Sequence, residues 1–292
     1  MELQIILEEQ EDIGFGFMEV GSITRYPYGG NRRPWNVRLP RDRSLIVNYG
    51  LKNDGAVVAR ARIAKQIRTI PLIINIAKTN NPKIKGAGTV EDYVESFKLL
   101  EALADIVNIN ISCPNTGDGV LLCEDLPLLE QLLSALEAQH PTKPIFLKLK
   151  PDISDLTLTE LVTLVKNYPS ITGFIISNLS KQRALLKHTD SNYSNRYQGG
   201  ISGQPIRALA TSMIRRVYQL TNGHYPIIGL GGIFSAADAY EKIKAGASLV
   251  ELVTGLIYEG PGVVKQINQG LVALLKQDGY RSISEAVGKS AS

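Results

Sequence analysis

Three amides, two hydroxyls and a thiol crowd the stretch Asn108-Ile109-Asn110-Ile111-Ser112-Cys113-Pro114-Asn115-Thr116. It follows the mostly apolar run Ala104 to Val107 and leads into Pro-Asn-Thr-Gly-Asp-Gly, so it reads as a buried strand entering a loop. A strand built only for packing would not bury so many polar groups, because each needs a partner. The end of this strand is therefore expected to be the floor of an active site. Cys113 could serve there as a nucleophile, as a proton-transfer base or as a small apolar residue. Its place beside a Gly-rich loop that could act as a lid favours chemistry. Cys123 falls in an apolar patch beyond that loop and has no expected role.

Other strand ends carry matching chemistry. Lys148 interrupts the apolar run Ile145 to Lys150, and a lysine there is costly unless it meets an anion or an electron-rich ring. A Schiff-base amine is the competing role. Lys150, on the same face two residues on, fits a side chain that reaches the rim. Asn75, Asn110, Ser177 and Asn178 lie at or near the ends of three strands, and converging amides and hydroxyls suit a flat heterocycle with edge donors and acceptors. Gly229-Leu230-Gly231-Gly232 and Thr254-Gly255 end the last two strands. Paired glycines before helix starts suit a phosphate; tight turns alone are the plainer alternative, but two such elements at consecutive strand ends favour the phosphate. His140, His188 and His224 lie in connections without metal-ligand spacing and are expected at the surface.

These side chains need a scaffold that gathers strand ends. Short apolar strands alternate with helices: strands at Gly14 to Thr24, Pro71 to Lys78, Asp105 to Ser112, Ile145 to Lys150, Gly173 to Asn178, Pro226 to Ile233 and Ser248 to Leu256. Helices are expected at about Gly55–Ile67, Val90–Leu103, Leu126–Gln139, Thr157–Asn167, Ile206–Thr221, Ala236–Ala245 and Val263–Gln277, with a short acidic helix over Met1 to Asp12. A long polar loop is expected from His188 to Gly200. This alternation implies a parallel sheet with both faces covered, and polar strand ends match the catalytic face of a (βα)8 barrel. Seven strands are readable, so the fold expected is an α/β TIM barrel without its first strand, forming one domain over 1–292 with a tail from about 281.

With 292 residues and a net charge of +4, the chain has ample core material and no basic surface that would argue for nucleic acid. Two cysteines imply no disulfide framework and a reducing compartment, so a cytoplasmic location is expected. No run resembles a signal peptide or a membrane span.

The motif NISCPNT at Asn110–Thr116 closely resembles the catalytic strand of dihydroorotate dehydrogenases. EVGSIT (Glu19–Thr24), GNRRPWNVRLP (Gly30–Pro40), LKLKPD (Leu147–Asp152), GGISGQPI (Gly199–Ile206), PIIGLGGI (Pro226–Ile233) and GASLVELVTG (Gly246–Gly255) follow in family order. The resemblance covers nearly the whole chain. It implies an FMN-containing barrel that oxidises dihydroorotate to orotate in pyrimidine biosynthesis. Cys113 matches the base that removes the C5 proton, and Lys148 the lysine near flavin N1. Asn48, Asn110, Asn115 and Asn178 match substrate amides. Asn75, Asn110, Ser177, Gly203, Gly231, Gly232, Val253, Thr254 and Gly255 match cofactor contacts.

Three departures stand out. No segment before Glu19 matches the family's first strand, which carries a lysine near flavin and substrate. VNYGL is one residue shorter than the family's N-x-x-G spacing, which bears on Asn48. The framework resembles the membrane-associated, quinone-using class without its N-terminal helices, yet cysteine at 113 resembles the soluble class, where that class usually has serine. The acceptor is accordingly a quinone, with the enzyme peripheral at a membrane, or a soluble molecule. A homodimer is compatible with the sequence. Competing readings are a dihydrouridine synthase-like flavin barrel, an inactive truncated family member and a Schiff-base aldolase.

Overall fold

The computed structural model describes residues 13–114 and 121–291. In chain order the elements begin with strands β1 (Met18–Ile23), β2 (Asn36–Leu39) and β3 (Ser44–Val47), then helix α1 (Ala56–Ile63) and β4 (Leu72–Ile76). They continue with α2 (Ala87–Leu100), β5 (Ile106–Asn110), α3 (Leu126–Glu137), β6 (Ile145–Leu149), α4 (Asp155–Val165), β7 (Ile171–Ile176) and α5 (Ser191–Ser194). The last are β8 (Gly200–Gly203), α6 (Arg207–Leu220), β9 (Ile227–Leu230), α7 (Ala236–Lys244), β10 (Leu249–Glu251), α8 (Thr254–Glu259), α9 (Gly262–Gln277) and α10 (Ile283–Ala286). The expected helix over Met1 to Asp12 lies outside the described residues.

The chain divides into two compact units. The first, with residues 1–32, 49–148 and 163–172, contains four parallel strands in the order β1, β4, β5, β6. Runs such as Leu72-Ile73-Ile74 and Ile145-Phe146-Leu147 are buried on both faces, as a covered parallel sheet requires. α3 contributes Leu129, Leu132, Leu133 and Leu136, spaced to form one apolar stripe. Asp125 caps that helix by accepting from the Leu128 amide at 3.2 Å. Register across the sheet places Asn75 opposite Asn108, and Asn110 opposite Lys148.

The second unit, with 33–48, 149–162 and 173–292, holds the parallel strands β7, β9 and β10 and an antiparallel sheet of β2, β3 and β8. Sequence patterning missed that small sheet, because its strands are four residues long and Asn36–Leu39 buries only Leu39 fully. Leu39, Ile46, Ile201 and Ile206 form a separate small core beneath it. The long polar loop expected from His188 contains α5, capped by Asp190, and ends where β8 begins. The strand expected over Ser248 to Leu256 stops at Glu251, and Thr254 opens a helix instead. The seven barrel strands expected from sequence are thus present as four in one unit and three in the other. His140, His188 and His224 are exposed, as expected.

Lys242, on α7, is fully buried in the second unit, its Nζ donating to Thr211 Oγ1 at 3.1 Å and to the Arg207 carbonyl at 3.4 Å. Burial pushes its ammonium down to about 8, against the attraction of Glu241 and Asp238. The folded chain therefore releases this proton earlier than the unfolded chain does. Stability is expected to rise with pH from about 8 toward the ordinary lysine value of 10.5. A depression of this size corresponds to on the order of 3 kcal/mol. Urea midpoints of the parent at pH 8 and pH 10 should show the rise, and Lys242→Met should flatten it. Parallel pH profiles for parent and variant would show that this lysine is not the group responsible.

Candidate active site

One face of the first unit's sheet is polar. Side chains alternate along a strand, so Glu19 on β1, Asn75 on β4, Asn108 and Asn110 on β5 and Lys148 on β6 share that face through their register. Glu19 is its hub. Lys148 Nζ donates to Glu19 Oε1 at 2.9 Å and Oε2 at 3.1 Å, with the two side chains 10% and 7% exposed. Asn108 Nδ2 donates to Oε1 at 3.0 Å, and Asn75 Nδ2 donates to the same oxygen. An ammonium held by a buried carboxylate is a positioned cation, not the free amine that Schiff-base chemistry needs.

At the end of β5, Asn110 Nδ2 donates to Ser22 Oγ at 3.0 Å, and its Oδ1 accepts from the Ser112 amide at 3.3 Å. Ser112 Oγ donates to the Lys148 carbonyl at 2.7 Å. Tyr93, buried on α2, donates to the Asn110 carbonyl at 2.8 Å, and burial holds its phenol far above the usual range. These bonds fix the segment that delivers Cys113, whose side chain is half-buried. Asn110, Cys113 and Tyr93 line a cavity of about 430 Å³, together with Lys78, Lys85 and Leu122. Asn115 lies outside the described residues. Lys150 is placed past β6 with its Nζ 3.7 Å from Asp152 Oδ1.

In the second unit, loop backbones meet closely at the glycines. A Cβ on Gly203 would lie 2.3 Å from the Arg43 carbonyl oxygen, one on Gly232 2.5 Å from Arg207 Cβ, and one on Gly255 2.1 Å from the Ile233 carbonyl oxygen. Packing alone therefore demands glycine at these positions. The same packing gathers the ends of β8 and β9 and the start of α8, and Thr254 Oγ1 lies 2.8 Å from Ser202 Oγ. Ser177 faces Gly231 and its buried Oγ has no partner among the described residues. Val253 precedes α8 and is exposed. Asn48 is buried against Gly199, its backbone N–H donating to the Trp35 carbonyl at 2.7 Å. Asn178 turns its Oδ1 onto the Leu179 amide at 2.9 Å.

Glu19 and Asn108 were not singled out from sequence as site residues. A carboxylate inside the apolar segment Met18-Glu19-Val20 was the available signal, by the reasoning that singled out Lys148. Tyr93 gave none, since a buried tyrosine at helical spacing reads as core.

Parallel strands flanked by helices thus carry amides, a lysine and a thiol at or just past their ends. A family model described as dihydroorotate dehydrogenase matches residues 5–275. The chain is 40% identical over 286 residues to a protein of Nostoc punctiforme named dihydroorotate dehydrogenase (quinone), covering 95% of this chain and 75% of that one. A Synechocystis protein of the same name is 42% identical over 285 residues, covering 94% and 74%. The fold is similar to that of a ligand-free type DHODH from Eimeria tenella, with a TM-score of 0.86 and 30% identity over 95% of this chain and 82% of that one. The chain belongs to the dihydroorotate dehydrogenase family, and its fold class is the α/β barrel expected from sequence.

Proposed function

We propose that this chain oxidises dihydroorotate to orotate with FMN as its cofactor, Cys113 as the base and a quinone as electron acceptor. The observation that carries this reading is the ordered strand end in which Asn110 and Cys113 line one cavity, with Asn110 opposite Lys148 of the Glu19–Lys148 pair in the sheet register. The names of the Nostoc and Synechocystis relatives support the quinone.

The residues present fit a flavin. Asn75 Oδ1, Asn108 Oδ1 and Ser177 Oγ are buried polar atoms without partners among the described residues, the kind of group a polar ring or its side chain would satisfy. Residue by residue, Asn75, Asn110, Lys148 and Ser177 are assigned to the flavin ring and its neighbourhood. Gly203, Gly231, Gly232, Val253, Thr254 and Gly255 are assigned to its phosphate. When bound, FMN supplies a hydride acceptor at N5 and an anionic reduced ring. Lys148 contributes a fixed positive charge toward that ring. Asn48, Asn110, Asn115 and Asn178 hold and orient the substrate. Cys113 Sγ takes the C5 proton as the C6 hydride departs, and its partial exposure gives that proton a route to solvent.

Among the described residues no helix is long and apolar enough to cross a membrane. An anaerobic visible spectrum of the full chain, with FMN, before and after dihydroorotate tests the reading. Flavin bands that bleach are the expected result. Bound flavin that ignores dihydroorotate would transfer the chain to another substrate, and failure to bind FMN would refute the flavin assignment.

A further inference from the structure

We propose that Glu19 is the positioning residue of the first unit's polar face, and that it makes Asn75 and Asn108 acceptors for a ring imide N–H. The inference deepens the function proposed above and rests on it.

An ionised carboxylate can only accept hydrogen bonds. Its neighbours must therefore turn donors toward it, and they do: Lys148 Nζ at 2.9 and 3.1 Å, Asn108 Nδ2 at 3.0 Å, and Asn75 Nδ2. A planar amide that commits its nitrogen in one direction displays its oxygen in the other. Both oxygens, Asn75 Oδ1 and Asn108 Oδ1, are buried and unpartnered among the described residues, on side chains 4% and 0% exposed. The two asparagines are direct partners in the β4–β5 register, so neighbouring strands present the same polarity.

Leaving one buried acceptor unpaired is costly, and two side by side mark a place where a donor belongs. A ring N–H flanked by carbonyls is such a donor. It occurs in the pyrimidine portion of a flavin and in a dihydropyrimidine. A ligand edge that offers only acceptors would meet two oxygens and be rejected. Glu19 thus sets the choice without touching the ligand. A glutamine at 19 both donates and accepts, so it would no longer dictate which way the two amides face.

The test compares FMN with N3-methyl-FMN, by fluorescence titration of the full chain stripped of flavin. A second arm compares orotate with N3-methyl-orotate, by perturbation of the flavin spectrum in the loaded protein. The parent should prefer the unmethylated ligand by about tenfold or more in one arm, the size of a lost buried hydrogen bond. The arm that responds identifies which ring the oxygens meet. Glu19→Gln and Asn108→Val should each shrink the preference to within about twofold. Asn108→Val leaves the Glu19–Lys148 pair in place, so it decides the matter if Glu19→Gln does not fold. A parent that binds the ligands without preference, or variants that keep the full preference, would overturn the inference. A parent that binds neither flavin refutes the proposed function itself, a distinct outcome.

Discussion

Cys113→Ala is expected to retain flavin and slow its reduction by dihydroorotate by roughly 100- to 10,000-fold, the usual worth of a positioned general base. The expectation follows from how the segment is built. β5 ends at Asn110, and the three residues to Cys113 are pinned at both sides. Tyr93 holds the Asn110 carbonyl at 2.8 Å, and Ser112 Oγ holds the Lys148 carbonyl at 2.7 Å. A side chain delivered by so fixed a backbone can be removed without moving the rest of the site. Binding of flavin and of orotate should therefore survive. Only the proton-transfer step should suffer. Rapid-mixing measurement of flavin bleaching under anaerobic conditions separates this step from later electron transfer. A reduction rate equal to the parent's would remove Cys113 from the mechanism, while weakened flavin binding would show that the thiol acts by packing.

The sequence made Lys148 conspicuous because a charge inside an apolar strand has few innocent explanations. It made Asn110 conspicuous because its stretch was crowded with polar groups. Glu19 had the same signature as Lys148, yet its meaning depends on a partner 129 residues away. Pairing of that range is set by the register of parallel strands joined through helices, which local patterning does not encode. Asn108 opened the conspicuous stretch, but only its position opposite Asn75 shows that it belongs to the polar face. The glycines taught the converse lesson. Gly232 and Gly255 were read as parts of phosphate turns and Gly203 as a cofactor contact by resemblance, and each is also required where another backbone or side chain would meet a Cβ. The end of β10 was misread because Val250 to Leu256 is apolar enough for a strand, whereas Gly255 packs on the Ile233 carbonyl and the chain turns helical there.

Lys148→Met should cost about 3–5 kcal/mol of stability, because it strands a buried carboxylate rather than merely deleting a contact. The Glu19 side chain is 7% exposed and receives two of its hydrogen bonds from Lys148. Asn75 and Asn108 would still donate to it, yet neither brings a charge. The companion variant is Glu19→Gln with Lys148→Met, in which no ionised group remains in the cluster. A desolvated pair predicts that the double variant is more stable than Lys148→Met alone, since removing both charges also removes the cost of burying them. Urea unfolding of the flavin-free chain reads this directly, without reference to catalysis. Additive losses would mean that water reaches the pair and screens it, and Lys148 would then be a weaker source of fixed charge for a reduced ring than its geometry implies. Non-additive losses, with flavin retention lost in both variants, would tie the stability of this cluster to the same charge that the chemistry uses.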